Sequence, residues 1–153
     1  MAIEIERKFL VATDDWRAEV TGEVVYRQGY LASGAFSVRV RIAGERANLN
    51  LKSATLDISR VEFEYEIPLA DAHTLLDRAS GNVIEKTRFF VKRDKLTWEI
   101  DVFAGSNAGL VVAEVELDHV DQEIARPDWL GDEVSDDERY YNVYLARHPY
   151  TEW

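Results

Sequence analysis

Residues 2–11 read A-I-E-I-E-R-K-F-L-V, and the two faces of this stretch decide the fold. In an extended strand, successive side chains point to opposite faces. Ile3, Ile5, Arg7, Phe9 and Val11 then share one face, which is mostly apolar, while Glu4, Glu6 and Lys8 share the other. Such a charged row has two readings. It is a solvated edge, or it belongs to a site where carboxylate oxygens hold a hard divalent cation and the lysine meets a phosphate as a point charge. One strand alone favours the solvated edge; repetition of the device shifts the balance.

It does repeat. Residues 36–42 place Phe36, Val38, Val40 and Ile42 on one face and Ser37, Arg39 and Arg41 on the other. Ala43-Gly44-Glu45 is a hairpin signal. The return strand, residues 46–52, sets Ala47, Leu49 and Leu51 against Asn48, Asn50 and Lys52. The polar faces of this pair bring Arg39, Arg41 and Lys52 together, and arginine pairs with phosphate oxygens bidentately. Residues 59–67 oppose Val61, Phe63, Tyr65 and Ile67 to Glu62, Glu64 and Glu66. Residues 83–93 carry Lys86 and Arg88 on one face, residues 96–102 carry Glu99 and Asp101, and residues 110–118 carry Glu114, Glu116 and Asp118.

The remaining segments connect these strands. Residues 13–16 read as a turn with Thr13 as cap. Residues 23–32 are strand-like, and Gly29 within them marks a bulge or a close approach of backbone. Residues 53–57 and 104–109 are loops. A helix is expected over residues 71–79, capped by Asp71 and stopped by Ser80-Gly81-Asn82. Residues 126–131 are irregular. A second helix is expected from 136 to about 148, with Ser135-Asp136-Asp137-Glu138 as a capping box and Pro149 as its end.

About eight strands and two principal helices result, with connections suited to antiparallel neighbours. The plain architecture is a sheet or sandwich whose charged rows all face water. The alternative inverts it. The strands close into a barrel, the apolar faces point outward under helices and loops, and the charged rows line the interior. An eight-stranded barrel can hold a small ligand, and like charges crowded inside it demand bound cations and an anion.

Composition narrows the function. A chain of 153 residues with 46% hydrophobic content is most simply one domain, residues 1–153, with a sizeable core. It has no long apolar run and no basic-then-apolar leader, so the expected location is the cytoplasm, with no membrane partner. With no cysteine, disulfides and thiolate chemistry are excluded. A net charge of −11 argues against general nucleic-acid binding but not against a local anion site. His73, His119 and His148 are scattered, without zinc spacing.

In order along the chain, E-x-E-x-K at 4–8, V-R-V-R at 38–41, L-K at 51–52, E-F-E at 62–64, E-K-T-R at 85–88, E-I-D at 99–101 and E-V-E at 114–116 resemble the CYTH superfamily, the triphosphate tunnel metalloenzymes. The tail, with W-L-G at 129–131 and R-Y-Y-N at 139–142, resembles short bacterial members. The resemblance implies a mainly β fold, a closed tunnel of eight antiparallel strands with flanking helices and a C-terminal helix. It implies that Lys8, Arg39, Arg41, Lys52, Lys86 and Arg88 bind phosphate. Arg139 is the candidate basic residue on the closing helix. Glu4, Glu6, Glu114 and Glu116 are implied as metal ligands, followed by Glu62, Glu64 and Asp101, with Glu66 and Glu99 at the rim. Tyr30 resembles a tyrosine that sits near the first-strand lysine, so that Lys8, Tyr30 and Lys86 are implied in the chemistry.

The implied cofactor is Mg2+ or Mn2+, one or two ions, and the implied reaction is hydrolysis of inorganic tripolyphosphate to pyrophosphate and phosphate. The family also includes class IV adenylate cyclases and thiamine and RNA triphosphatases. A polyphosphate or nucleotide sensor without turnover is a further alternative, and a homodimer stays open. A thiamine triphosphatase would need an aromatic platform at the tunnel mouth, and the sequence alone does not place Trp16, Trp98, Trp129 or Trp153.

Overall fold

The computed structural model of the chain describes residues 3–55 and 57–153. Ala2, expected to begin the first strand, and Leu56, expected in a loop, lie outside them. The described strands are β1 (Ile3–Val11), β2 (Val20–Ala32), β3 (Phe36–Ala43), β4 (Arg46–Ser53), β5 (Ser59–Ile67), β6 (Ser80–Arg93), β7 (Leu96–Ala104), β8 (Val111–Glu116) and β9 (Leu130–Glu133). Their order is β5-β4-β3-β2-β6-β7-β8-β1-β9, and β5 pairs again with β1. Eight antiparallel strands therefore close into a barrel, with β9 as an extra strand.

One edge of β1 carries the closure. The seam with β5 is short: Ile3 faces Val61, Glu4 faces Arg60 and Ile5 faces Ser59. Further along the same edge the chain's tail takes over. Lys8 N–H donates to Ser135 Oγ at 2.9 Å, Val134 N–H donates to the Lys8 carbonyl at 2.8 Å, and β9 pairs at Phe9 and Val11. The other edge pairs with β8 from Glu6 to Leu10.

The hydrophobic core is distributed outside the barrel, as the inverted architecture requires. The outer face of β1 and β6–β8 packs Phe9, Val91, Trp98, Ile100, Ala113 and Val115 against Trp16, Trp129 and Leu130 from the covering loops and β9. A second cluster sets Ile84, Phe103 and Val112 against Leu145 and Ala146 of the tail. A third seats Ala72 and Leu76 on Val40, Ile42 and Ala47. These clusters leave the inner faces free to carry charge. Among the described residues, no helix is long and apolar enough to cross a membrane.

Several elements differ from the expected ones. The first helix, α1, is Leu69–Asp77 and starts after Pro68 rather than under an Asp71 cap. Ser80-Gly81-Asn82 opens β6 instead of stopping a helix. Gly29 realises both expectations. The β2 register shifts between Gln28 and Tyr30, and a Cβ on Gly29 would lie 2.6 Å from the Ala79 methyl. The tail departs most. Residues 130–133 form β9, and in place of a helix from 136 to 148 there are a 3-10 turn at Glu138–Tyr140 and one α-turn, α2, at Asn142–Leu145. Ser135 cannot cap a helix because its hydroxyl is engaged by Lys8 N–H and donates to Glu133 at 2.6 Å.

Candidate active site

The charged rows converge on the barrel interior. A cavity of about 320 Å³ is lined by seven carboxylates, six cationic side chains and a few tyrosines and amides. Strand alternation explains the assembly. β1 sends in Glu4, Glu6 and Lys8; β3 sends Arg39 and Arg41; β4 sends Asn50 and Lys52; β5 sends Arg60, Glu62 and Glu64; β6 sends Arg88; β7 sends Glu99; β8 sends Glu114 and Glu116. The cavity thus gathers six cations, which can meet a polyanion, beside seven carboxylates, which can meet divalent cations.

Three of the six cations in the cavity are tied closely to carboxylates. Lys52 Nζ lies 3.0 Å from Glu4 and 3.2 Å from Glu62. Lys8 Nζ lies 3.4 Å from Glu114. Arg88 reaches Glu99 and lies 3.3 Å from Glu114. Burial opposes the charge on Lys52, but Glu6 and Glu4 outweigh it and hold its pKa above the ordinary value. Burial likewise opposes ionisation of Glu114, but Lys8 and Arg88 hold its carboxyl well below the usual range.

Arg39 and Arg41 stand apart. The Nε atoms of both are buried without a hydrogen-bond partner among the described residues. Arg41 comes only to 4.0 Å of Glu64 and lies over the Tyr26 ring at 4.5 Å. Burial, and then the neighbouring charge of Arg39, lower its pKa. Two buried donors on adjacent inward positions of one strand are costly unless an acceptor arrives.

The acids show the complementary feature. Among the described residues, no basic group comes within ion-pairing distance of Glu6. Burial, and then the charge of Glu114, push its carboxyl up to about 7. Glu116, its cross-strand neighbour, is raised by burial and by Glu4. Glu99 is pushed up to about 7 by burial despite Arg88. Among the described residues, no three carboxylates converge on one point, because Glu4 and Glu114 lean toward their basic partners. The donor set nevertheless fits a divalent metal. It consists of carboxylate oxygens only, which suit Mg2+ and Mn2+, and a cation would remove the repulsion that burdens Glu6.

Lys86 and Asp101 lie beneath the cavity rather than in its lining. Lys86 Nζ is 2.7 Å from Asp101 Oδ2, and Arg88 donates to both oxygens of Asp101 at 2.7 and 2.9 Å. Burial lowers the Lys86 pKa to about 8, with Asp101 opposing. Asp101 was expected among the metal ligands. In this structure both of its oxygens are engaged by Lys86 and Arg88.

The tail walls one side. Tyr141, Asn142 and Val143 line the cavity beside Tyr30. Lys8 Nζ donates to the Tyr140 carbonyl at 3.1 Å and lies 4.5 Å from the Tyr141 ring. Arg139, expected to reach phosphate, faces outward. It is bound to Asp137 at 2.7 Å and contributes to a separate surface hollow with Arg147 and Trp153. The local 3-10 turn, in place of a long helix, points it away. Glu66 also lies outside, paired with Arg46, whereas Glu99 lines the cavity.

Sequence reading missed Arg60 and Tyr141. Arg60 shares the parity of Glu62 and Glu64 on β5 and was recoverable from alternation. Tyr141 was not, because its position depends on how the tail docks on β1. Among the described residues, no tryptophan lines the cavity: Trp16, Trp98 and Trp129 are buried in the outer core.

Comparison with known proteins agrees with this geometry. The CYTH domain family matches residues 2–144. A protein of Acetivibrio thermocellus named inorganic triphosphatase is 43% identical over 152 residues, covering 98% of this chain and 97% of its own. One of Nitrosomonas europaea with the same name is 40% identical over 149 residues, covering 94% and 96%. The crystal structure of an inorganic triphosphatase superposes with a TM-score of 0.68 at 37% identity, over 95% of each chain. By fold, by the ordered charged rows and by sequence, the chain belongs to the CYTH domain family.

Proposed function

We propose that this chain is a metal-dependent inorganic triphosphatase that hydrolyses tripolyphosphate to pyrophosphate and phosphate inside the barrel. The observation that carries this reading is the pair of buried, unpartnered Nε atoms of Arg39 and Arg41. Each needs an acceptor, and no described side chain supplies one to either Nε. The two curated relatives, similar over nearly their whole lengths, bear the same activity in their names.

Arg39 and Arg41 grip phosphate oxygens, joined by Lys8, Lys52 and Arg88. Glu4, Glu6, Glu114 and Glu116 would hold Mg2+ or Mn2+, one or two ions, with Glu62 and Glu64 next in line. When bound, the divalent ion neutralises phosphate charge and lowers the pKa of the attacking water. The chain's own residues set the stage for this. Carboxylates engaged by a cation would hold Lys8, Lys52 and Arg88 less tightly than they do here, leaving those donors for the triphosphate. Lys8 and Tyr30, which both line the cavity, orient the reacting phosphoryl group. Lys86 acts from below, sharing Asp101 with Arg88 and so fixing the guanidinium. The pre-set donors stabilise charge as it develops, worth about 10² to 10³ in rate per donor in comparable sites.

The test is phosphate release from tripolyphosphate, ATP and thiamine triphosphate, with magnesium and then manganese. Tripolyphosphate should give the highest kcat/KM, since the grouped cations address phosphate and no tryptophan platform addresses a base. Accumulation of cyclic AMP from ATP would replace this reading with a cyclase. Tight binding without release would make the protein a sensor.

A further inference from the structure

We propose that Arg60 is an additional anion-binding residue of the cavity and that Tyr141, from the tail, is the residue that positions it. The proposal rests on the polyphosphate reading of the cavity. Arg60 lies on β5 at the closure seam, opposite Glu4 on β1, and its side chain lines the cavity. Lys8, Lys52 and Arg88 are each neutralised by carboxylates, but no described carboxylate lies within ion-pairing distance of Arg60. Its guanidinium carbon sits 5.0 Å from the Tyr141 ring centroid. The Lys8 ammonium lies 4.5 Å from the same ring.

One ring therefore serves two cations from two strands. That contact satisfies the guanidinium face but leaves its N–H edge uncommitted, and the edge is what pairs with phosphate oxygens. Tyr141 can do this because it is fixed. The ring is 8% exposed, and its hydroxyl donates to the Ser135 carbonyl, on the segment whose Ser135 hydroxyl is engaged by the β1 backbone. The closure of the barrel and the aim of Arg60 are thereby linked through one side chain. Arg39 and Arg41 stand on β3, two strands away from β5 in the sheet order, so Arg60 adds a donor at the β5–β1 seam, where β3 supplies none.

The test combines kinetics with calorimetric titration of tripolyphosphate in chelator, which reads affinity without turnover. Arg60→Ala should raise KM, and weaken the calorimetric affinity, by about 10-fold or more, the scale of one lost charge-assisted pair. Its kcat should stay within about 3-fold and its Tm should not fall. Arg60→Lys should recover only part of the affinity, since an ammonium lacks the fork. Tyr141→Leu should weaken affinity more in the wild-type background than in Arg60→Ala, where only its contact with Lys8 is left to lose. Unchanged affinity in a folded Arg60→Ala variant would overturn the proposal, as would additive effects of the two substitutions. If the wild-type chain binds tripolyphosphate in an Arg60-dependent way but hydrolyses none, the triphosphatase reading fails and the Arg60 site stands.

Discussion

The Asp101 carboxylate lies 2.7 Å from the Lys86 ammonium, and both side chains are almost entirely cut off from solvent. The same carboxylate takes two donors from Arg88. One acid thus balances two buried cations, and only one of these, Arg88, lines the cavity. Removing the acid strands Lys86 and leaves Arg88 to Glu99 and Glu114 alone. Asp101→Ala should destabilise the protein by about 3–5 kcal/mol, the usual cost of breaking a buried pair from one side. Urea denaturation measures it, and a loss below about 1 kcal/mol would show that the cations find other partners.

The raised carboxyls predict an unusual pH response of the metal-free protein. Glu6 and Glu99 are pushed from 4.5 to about 7 in the folded chain. Between those values the folded state binds more protons than the unfolded state, so stability falls as pH rises. Their contribution is present in full below about pH 4.5 and is lost as pH passes about 7. In chelator, Tm should therefore be higher at pH 5.5 than at pH 8. Magnesium should raise Tm more at pH 8, where no proton competes for Glu6. An equal rise at both pH values would separate Glu6 from the metal site.

Grip and chemistry should divide between residues. Arg41→Ala removes a donor that meets phosphate before and during reaction, so KM should rise at least as much as kcat falls. Glu116→Gln keeps the shape of a metal-side acid and removes its charge. It should lower kcat roughly 10²-fold or more while tripolyphosphate still binds. Steady-state kinetics beside calorimetry distinguishes the two patterns. Near-normal kcat in Glu116→Gln at saturating metal would remove Glu116 from the metal set.

Gly81 ties the tail to the barrel. Its φ is +74°, and a Cβ there would stand 2.4 Å from the Ala146 carbonyl oxygen. That carbonyl accepts from the Asn82 backbone at 2.7 Å. Gly81→Ala should cost about 1–3 kcal/mol from backbone strain alone, with further loss if the tail lifts. Limited proteolysis should then cut within residues 139–149 faster than in the wild-type chain. An unchanged cleavage pattern would mean that the tail is held elsewhere.

How legible all this was in the sequence depended on the kind of order involved. Alternation is a local property, so the rows of Glu4, Glu6 and Lys8, or of Arg39 and Arg41, could be read directly. Which side of the sheet those rows occupy is not local. It follows from closure, and only the resemblance across several strands pointed inward. Ser135-Asp136-Asp137-Glu138 misled for the same reason. The pattern suits a capping box, but a β1 backbone amide 127 residues away claims the serine first. Asp101 looked like one more inward acid, and nothing in E-I-D discloses that Lys86 and Arg88 exhaust it.

The division of one β1 edge between β5 and the tail also bears on how the chain is made. The first strand is made well before its last partner, since Ser135 follows Lys8 by 127 residues. At the usual pace of synthesis, that edge waits roughly 6 to 25 s for its last partner. Such long-range pairing also folds slowly once the chain is complete. A waiting strand of I-E-I-E-R-K type is protected meanwhile, because charges on alternate positions discourage pairing with other nascent chains. Glu4, Glu6 and Lys8 thus serve the newborn polypeptide as gatekeepers before there is a tunnel for them to line.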